Sequence, residues 1–153
     1  MIPVKQQNLH RPSEGVWGDC HRAAIASILE KPLDDVPHFG DGGPDGEEFA
    51  RREADYLRAQ GIVPIRVIYT DDLPLVLAAV GKMNPGVCYL LGGQSRTGVD
   101  HTVVGLNDAI AHDPSINESG IIGPCADGYY WITFFGSLAA LDRLRAEQPK
   151  ART

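Results

Sequence analysis

The chain has 153 residues, 43% of them hydrophobic and 22% charged, and a formal net charge of −6. This length suffices for one domain with a single core, and the composition is that of an ordinary globular protein. The acidic balance offers no basic surface for nucleic acid or for anionic lipid, so we expect neither as a partner. No apolar run reaches the roughly 20 residues that cross a bilayer. Residues 1–15 lack the apolar segment of a signal peptide, which predicts a cytoplasmic protein.

The first half of the chain is predicted to be an extended N-terminal arm followed by two helices. Residues 1–17, the arm, carry two prolines and few apolar side chains, which is typical of irregular structure. Asp19 is a candidate N-cap for a helix over residues 20–30, whose apolar positions share one face, and Pro32 stops that helix. After a loop rich in Gly, Pro and Asp, residues 45–60 place apolar side chains at helical spacing and predict the second helix.

The second half is predicted to consist mostly of strands. Runs of β-branched and aromatic residues between Gly and Pro turns indicate strands, and Pro64 indicates an edge position for the first of them. The predicted strands cover residues 62–70, 86–93, 99–107, 109–113 and 129–135, with helices over 71–82 and 137–147 and a polar tail over 148–153. Because most strands follow one another through turns, the layout is α+β, with N-terminal helices packed on an antiparallel sheet in a single domain.

The three cysteines point to a reduced protein with one candidate nucleophile. The chain has an odd number of cysteines, Cys20, Cys88 and Cys125, and they are widely spaced, which disfavours a disulfide framework. Because no two of them form a CxxC motif, the sequence does not predict a zinc ribbon. Cys20 directly follows the candidate N-cap, where unpaired N–H groups and the helix dipole stabilise a thiolate. We therefore take Cys20 as the candidate nucleophile, with a buried structural thiol as the alternative.

A nucleophilic thiol also needs a base, and the base needs an orienting partner. His101 and Asp113 lie on consecutive predicted strands joined by a turn at Asn107 and Asp108. If that turn closes a hairpin, residues pair symmetrically about it, and His101 lies opposite about Pro114. The register therefore predicts that the imidazole of His101 and the carboxylate of Asp113 meet at the same end of the hairpin.

An acyl-transfer site further needs hydrogen-bond donors for the oxyanion. The backbone N–H of Cys20 would be a free first-turn amide. Gln6 and Gln7 are the two glutamines upstream of it, and either can supply a side-chain amide. We favour Gln7.

Five short segments, taken in order, carry a family resemblance. They are Gly18-Asp19-Cys20 and residues 32–39, 95–98, 101–104 and 112–114. A cysteine that opens the first core helix, followed by histidine and then aspartate, with an upstream glutamine, resembles the papain-like fold. Within that fold the chain is similar to the compact peptidases that cut double-glycine leader peptides, and to small uncharacterised phage and bacterial proteins.

The resemblance implies a cysteine-dependent hydrolase (a peptidase, isopeptidase or amidase) that forms a thioester with a peptide or small amide and uses no cofactor. It implies Cys20 as the nucleophile, His101 as the base and Asp113 as the residue that orients the histidine. Leader peptidases, however, place their oxyanion glutamine six residues before the cysteine, and Glu14 occupies that position here. Either the arm supplies Gln7 instead, or the oxyanion hole is incomplete.

Four residues are candidates for substrate binding, namely Trp17, Gly18, Asp19 and Ser95. Simpler roles stay open for three of them, since Trp17 can pack under the arm, Asp19 can serve only as the cap, and Ser95 can belong to a hairpin loop. His21 lies about 100° round the helix from the nucleophile and is expected to point away from the site.

Three alternatives stand beside the hydrolase. The first is a catalytically inactive papain-fold binding module of phage or bacterial origin, and the second is a transglutaminase-like acyltransferase that uses the same triad. The third is a metal site formed by Cys20, His101 and Asp113, which are all zinc ligands in other proteins, although nothing in their spacing requires a metal. The sequence leaves the substrate and the oligomeric state open.

Overall fold

The structure, a computed structural model, describes residues 1–147, and the predicted tail over 148–153 lies outside them. The elements are α1 (Cys20–Leu29), α2 (Gly46–Ala59), β1 (Ile62–Tyr69), α3 (Leu73–Met83), β2 (Cys88–Gln94), β3 (Asp100–Leu106), β4 (Ala109–His112), β5 (Tyr130–Ser137) and α4 (Leu138–Glu147). The predicted α+β layout is confirmed. Over the described range, no helix combines the length and the apolar character needed to cross a bilayer.

The five strands form one antiparallel sheet in the order β1-β5-β2-β3-β4. β1 lies at an edge of the sheet, as Pro64 predicted, because a proline cannot donate to a neighbour on both sides. β5, the last strand in the chain, lies between β1 and β2. β3 and β4 form the hairpin that was predicted from the turn at Asn107 and Asp108.

Helices cover both faces of the sheet. Side chains alternate along β2, so neighbouring residues face opposite sides of the sheet. Leu90 packs in the core formed with α1 and α2, which includes Ile25. Leu91 packs in the core formed with α3, which includes Val80. All four side chains are at most 1% exposed. Full burial of an aliphatic side chain contributes about 1.5–3 kcal/mol, so these two cores hold the sheet rigidly between the helices.

α1 lies close against β3 because most of its buried side chains are small. Ala23, Ala24 and Ala26 are fully buried there, and none projects beyond a methyl group. A close helix–sheet approach of this kind fixes where the helix begins. The first residue of α1, Cys20, is thereby held beside the strand that carries His101.

The N-terminal arm runs between α1 and the segment that follows β4. The backbone N–H of Val4 donates to Ser27 Oγ on α1 at 2.9 Å, and Val4 O accepts from His112 Nε2 at 2.8 Å. The backbone N–H of Gln6 donates to Pro114 O at 2.9 Å. The arm is therefore extended, as predicted, and is bound both to the helix that begins with Cys20 and to the segment that carries Asp113.

Candidate active site

Cys20 is the first residue of α1, and its sulfur lies against β3. The backbone N–H groups of His21, in the first turn of the helix, and of Thr102, on the strand, act on the sulfur and lower the pKa of the thiol. Thr102 directly follows His101 in sequence. The fold thus brings the helix start and the histidine strand together at the sulfur.

The predicted pairing of His101 with Asp113 is present in the structure. His101 Nε2 donates to Asp113 Oδ1 at 2.7 Å, and the histidine is only 7% exposed. Asp113 also accepts from the backbone N–H groups of Ser115 and Gly120, each at 2.8 Å. Burial alone would raise the pKa of Asp113, but these hydrogen bonds outweigh it and lower the pKa to about 2. Since Nε2 carries the proton toward Asp113, Nδ1 is the nitrogen left free to accept one.

The β3–β4 hairpin delivers this pair through a small change of register. Leu106 lies opposite Ala109, as symmetric pairing about the turn requires. A β-bulge then shifts the pairing by one residue, so that Val104 lies opposite His112. Asp113, the next residue, lies just beyond the end of β4, where it reaches the histidine.

Two clefts meet at the Cys20–His101 region and share Gly18, Cys20, Asp100 and His101 in their walls. We call the first, of about 440 Å³, the polar cleft, since Gln6, Ser95 and Ser115 are among its other lining residues. We call the second, of about 700 Å³, the aromatic cleft, since Phe49 and Trp131 line it. Cys20 and His101 therefore lie where the walls of the two clefts meet.

The structure brings Gln6 to this site, and it leaves Gln7 on the surface. Gln6 is 6% exposed and lines the polar cleft, whereas Gln7 is exposed. Glu14, in the position where leader peptidases carry glutamine, is exposed and forms an ion pair with Arg11 at 3.0 Å. Gln6 is thus the upstream glutamine that lines a cleft together with Cys20, and its Nε2 donates to Asn8 O at 2.5 Å. The sequence carried no signal for this choice, because the arm has no periodicity that would assign its faces.

Asp19 occupies the N-cap position of α1, but its side chain makes no capping hydrogen bond to the helix. Its Oδ1 accepts instead from the backbone N–H groups of Gln7, at 3.0 Å, and Asn8, at 2.8 Å. The residue is 1% exposed. The carboxylate therefore binds the arm, a contact that neither the capping role nor the substrate-binding role anticipated.

The other three candidate substrate-binding residues have different surroundings. Gly18 and Ser95 line the clefts, and the Ser95 hydroxyl lies 2.8 Å from Thr97 Oγ1 and is buried. The ring of Trp17 packs closely on Gly43: a Cβ atom added to Gly43 would lie 2.6 Å from the ring. The Trp17 backbone oxygen accepts from His38 Nε2 at 3.0 Å. Trp17 is thus packed against the following loop.

His21 lies in the wall of the aromatic cleft, contrary to the expectation that it points away from the site. Its Nδ1 lies 3.0 Å from Thr102 Oγ1, and its Nε2 lies 2.9 Å from Glu53 Oε1. The second oxygen of Glu53 pairs with Arg66 on β1. Both ring nitrogens of His21 are therefore engaged, which makes it a poor candidate for a general base.

The thiol of Cys20 is held in its neutral form. Burial raises its pKa to about 11, and the nearby carboxylates of Asp19 and Asp113 act in the same direction. The N–H groups of Thr102 and His21 lower the pKa, but they do not outweigh burial. This differs from the stabilised thiolate that a cysteine at a helix N-terminus led us to expect.

Cys88 and Cys125 are free thiols, as Cys20 is. Cys88 packs beside the α1–α2 core, and Cys125 lines the aromatic cleft. Across residues 1–147, no group of three or more His, Cys, Asp or Glu side chains is arranged to hold a metal ion.

Comparisons with protein-family models, with curated proteins and with solved structures gave no match. The chemistry of the site is therefore inferred from its own residues.

Proposed function

We propose that this chain is a cysteine-dependent hydrolase that cleaves an amide or related acyl bond, as a peptidase, isopeptidase or amidase. The observation that carries the proposal is the 2.7 Å hydrogen bond from His101 to Asp113, at clefts that Cys20 also lines. A histidine oriented by a carboxylate beside a cysteine at a helix start is an arrangement suited to nucleophilic catalysis.

The arrangement of the elements supports a papain-like fold as the finer class. The helix that begins with Cys20 packs on an antiparallel sheet, and the histidine and the aspartate come from one hairpin of that sheet. Because unrelated folds also carry such triads, the activity is argued from the site, and the fold class is a separate part of the proposal.

The first chemical step is acylation of the sulfur. The thiol proton of Cys20 passes to Nδ1 of His101 as the S–C bond forms to the substrate carbonyl carbon, and the π electron pair moves to the carbonyl oxygen. When the tetrahedral intermediate collapses, His101 returns that proton to the leaving nitrogen and the C–N bond breaks. The amine departs and a thioester remains.

Two donors are placed to stabilise the oxyanion of that intermediate. The backbone N–H of Cys20 belongs to the first turn of α1, where amides have no partner within the helix. The side-chain amide of Gln6, a residue buried in the wall of the polar cleft, is the second. One N–H of its Nε2 is used at Asn8 O, at 2.5 Å, and the other is left to donate to the oxyanion. Donors of this kind contribute because they are fixed in place before charge develops.

The second step is hydrolysis of the thioester. His101 takes a proton from water as the oxygen attacks the carbonyl carbon, and the thiol leaves with the proton returned to sulfur. The net reaction converts an amide and water into a carboxylic acid and an amine. Asp113, which stays ionised because its pKa is about 2, keeps the imidazole in the same tautomer through both steps.

The clefts indicate the shape of the substrate. A chain that crosses the Cys20–His101 region can extend into the polar cleft on one side and the aromatic cleft on the other. Phe49 and Trp131 would receive an apolar group, and the hydroxyl-lined polar cleft would receive main-chain amides. A peptide fits this pair of environments.

The experiment uses p-nitrophenyl acetate, which reports acylation by release of p-nitrophenolate and by the acetyl mass on Cys20. We expect the wild-type protein to form the acetyl thioester and turn over. His101→Ala should slow acetylation by about 10²–10⁴-fold, the usual contribution of a positioned base. Cys88→Ala, which removes a thiol outside the clefts, should react at the wild-type rate. Equal rates in the wild type and His101→Ala would contradict the proposal.

The same experiment separates hydrolysis from acyl transfer. Water should release the acetyl group at a rate that added putrescine does not change. If putrescine takes the acetyl group in preference to water, the acyltransferase replaces the hydrolase.

A catalytically inactive binding module is the second candidate, and the raised pKa of Cys20 favours it. In that case p-nitrophenyl acetate leaves Cys20 unmodified over hours, and Cys20→Ser has the melting temperature of the wild type. A wild-type burst of p-nitrophenolate with acetyl on Cys20 excludes this candidate.

A further inference from the structure

We propose that Asp19 is a positioning residue that anchors the N-terminal arm so that the amide of Gln6 is held at the oxyanion position. This inference rests on the proposed hydrolase function. It assigns to Asp19 a role in the reaction without contact to the substrate.

Asp19 holds the arm on the side of the nucleophile. Its Oδ1 accepts from the backbone N–H groups of Gln7 and Asn8, at 3.0 and 2.8 Å, and its own N–H donates to Asn8 O at 3.3 Å. A carboxylate that is 1% exposed makes charge-assisted hydrogen bonds, and leaving it unbonded would be costly. The two residues that follow Gln6 are therefore fixed to the residue that precedes the nucleophile. One of them, Asn8, also accepts a hydrogen bond from the side-chain amide of Gln6, at 2.5 Å, so Asp19 is linked to that amide through Asn8.

A second anchor holds the arm on the opposite side. The backbone N–H of Gln6 donates to Pro114 O at 2.9 Å. Lys5 Nζ donates to the backbone oxygens of Asp113 and Ser115, both at 2.9 Å. Gln6 is thus held on one side by the segment that carries the orienting carboxylate and on the other by Asp19. Release of either anchor frees the backbone from which its amide projects.

Asp19 does not cap the helix that it precedes. A residue at this position usually accepts from the second or third amide of its helix, and Asp19 does not. Within the described chain, its Oδ2 has no hydrogen-bond partner and lies 3.5 Å from an Arg22 nitrogen. The first turn of α1 therefore keeps amides available for the sulfur of Cys20, while the carboxylate serves the arm.

The size of the effect follows from the geometry of an oxyanion hole. Loss of one donor, or a displacement of about 1 Å, costs roughly a hundredfold in rate in well-characterised enzymes. An arm released at Asp19 would keep Gln6 bonded at Pro114, so we expect a partial loss.

The test compares two reactions of the same sulfur. Acetylation by p-nitrophenyl acetate passes through an oxyanion, whereas alkylation by iodoacetamide does not. Asp19→Ala should lower the acetylation rate by about tenfold to a hundredfold and should not lower the alkylation rate. Asp19→Asn keeps an Oδ1 acceptor for the two arm amides and should restore most of the acetylation. A residue important only for stability would lower both reactions together.

Two further variants serve as controls. Asp34 also pairs with Arg22, at 3.3 Å, but it is exposed and does not contact the arm. Asp34→Ala should therefore leave both reactions unchanged. Gln6→Ala removes the donor completely, so it should lower acetylation at least as much as Asp19→Ala. The double variant should be no slower than Gln6→Ala alone, because both substitutions act through the same donor.

Hydrogen exchange of the Gln7 and Asn8 amides distinguishes failure of this inference from failure of the hydrolase. If the wild type is not acetylated, the hydrolase fails, and faster exchange in Asp19→Ala than in Asp19→Asn still supports the anchor. If the wild type is acetylated but Asp19→Ala keeps the wild-type ratio of the two rates, Asp19 has no positioning role. Unchanged amide exchange in Asp19→Ala overturns the anchor itself. Melting curves establish that the variants are folded.

Discussion

At the scale of single residues, the surroundings of Cys20 decide how its thiol reacts. Burial and two carboxylates keep the proton on sulfur, and two backbone N–H groups, of Thr102 and His21, act in the opposite direction without outweighing them. A neutral thiol beside a base attacks a carbonyl that is bound close enough for the proton to be transferred in the same step. It reacts slowly with alkylating reagents, because those require a thiolate that already exists.

The pH dependence of alkylation follows from this. With a pKa of about 11 for Cys20, the iodoacetamide rate should rise about tenfold per pH unit and show no plateau up to about pH 9.5, beyond the usual cysteine value near 8.5. Mass spectrometry of the Cys20 peptide across a pH series measures this rate. His101→Ala should leave the curve in place, because no imidazolium–thiolate pair supports the thiolate.

A plateau below about pH 8 that His101→Ala removes would contradict this prediction, since it would reveal a thiolate paired with imidazolium. It would leave the hydrolase proposal standing and change only its resting state. The alkylation rates of Cys88 and Cys125 in the same samples provide internal references.

At the scale of elements, the contact of α3 with the β3–β4 turn holds the hairpin that carries His101. Gly81, inside α3, lies so close to the turn that a Cβ atom there would be 2.3 Å from the backbone carbon of Asn107. Asn107 adopts a positive φ of 53°. Because the turn sets the hairpin register, this close contact helps to place Asp113 next to the histidine.

We therefore expect Gly81→Ala to destabilise the protein, although alanine is the better helix former by up to about 1 kcal/mol. Overpacking against backbone costs roughly 1–3 kcal/mol, which corresponds to a fall in melting temperature of several degrees. Gly46→Ala is the matched control, because Gly46 is also in a helix and a Cβ atom added to it would meet nothing within 4 Å. It should be neutral or stabilising. Equal melting temperatures for Gly81→Ala and Gly46→Ala would contradict the predicted overpacking of α3 against the β3–β4 turn.

The elements that the sequence predicted well are those whose signal is local. The four helices and five strands follow from periodicity, from Pro64 and from the turn at Asn107, and the symmetric register anticipated the pairing of His101 with Asp113. The order of the strands was not predictable, because β5 inserts between β1 and β2 through contacts distant in sequence.

The parts of the site that sequence did not predict depend on tertiary contacts. The choice between Gln6 and Gln7 depends on how the arm is bound to Ser27, Pro114 and Asp19, and an extended arm has no pattern that records this. The raised pKa of Cys20 depends likewise on burial and on carboxylates brought from elsewhere in the fold. Local motifs thus identified the residues of the proposed triad but not its electrostatics.

At the scale of the whole molecule, one buried carboxylate joins three elements around the aromatic cleft. Glu53, on α2, is 2% exposed and contacts both His21 of α1 and Arg66 of β1. Burial alone would raise its pKa, but these two partners outweigh burial and lower the pKa to about 2. Such a group couples the stability of the fold to pH.

The sign of that coupling follows from the depressed pKa. Glu53 stabilises the folded state above its unfolded pKa, near 4.5, and this contribution is lost as the pH falls through about 2. Its magnitude is on the order of 3 kcal/mol, from the difference between those two values. Asp113, whose pKa is also about 2, contributes in the same direction.

We accordingly expect the wild type to lose stability steeply between about pH 4.5 and pH 2. Glu53→Gln should be less stable at neutral pH, because removal of one partner leaves Arg66 unpaired, and its stability should fall less over the acid range. Urea unfolding at a series of pH values measures both effects.

Glu48→Gln is the control: Glu48 also has a pKa of about 2, but it lies on the surface between Arg51 and Arg52. Exposed ion pairs contribute little, so the stability of Glu48→Gln should follow that of the wild type across the pH series. If the free energy of unfolding of Glu53→Gln falls with pH in parallel with that of the wild type, Glu53 is not the source of the acid sensitivity.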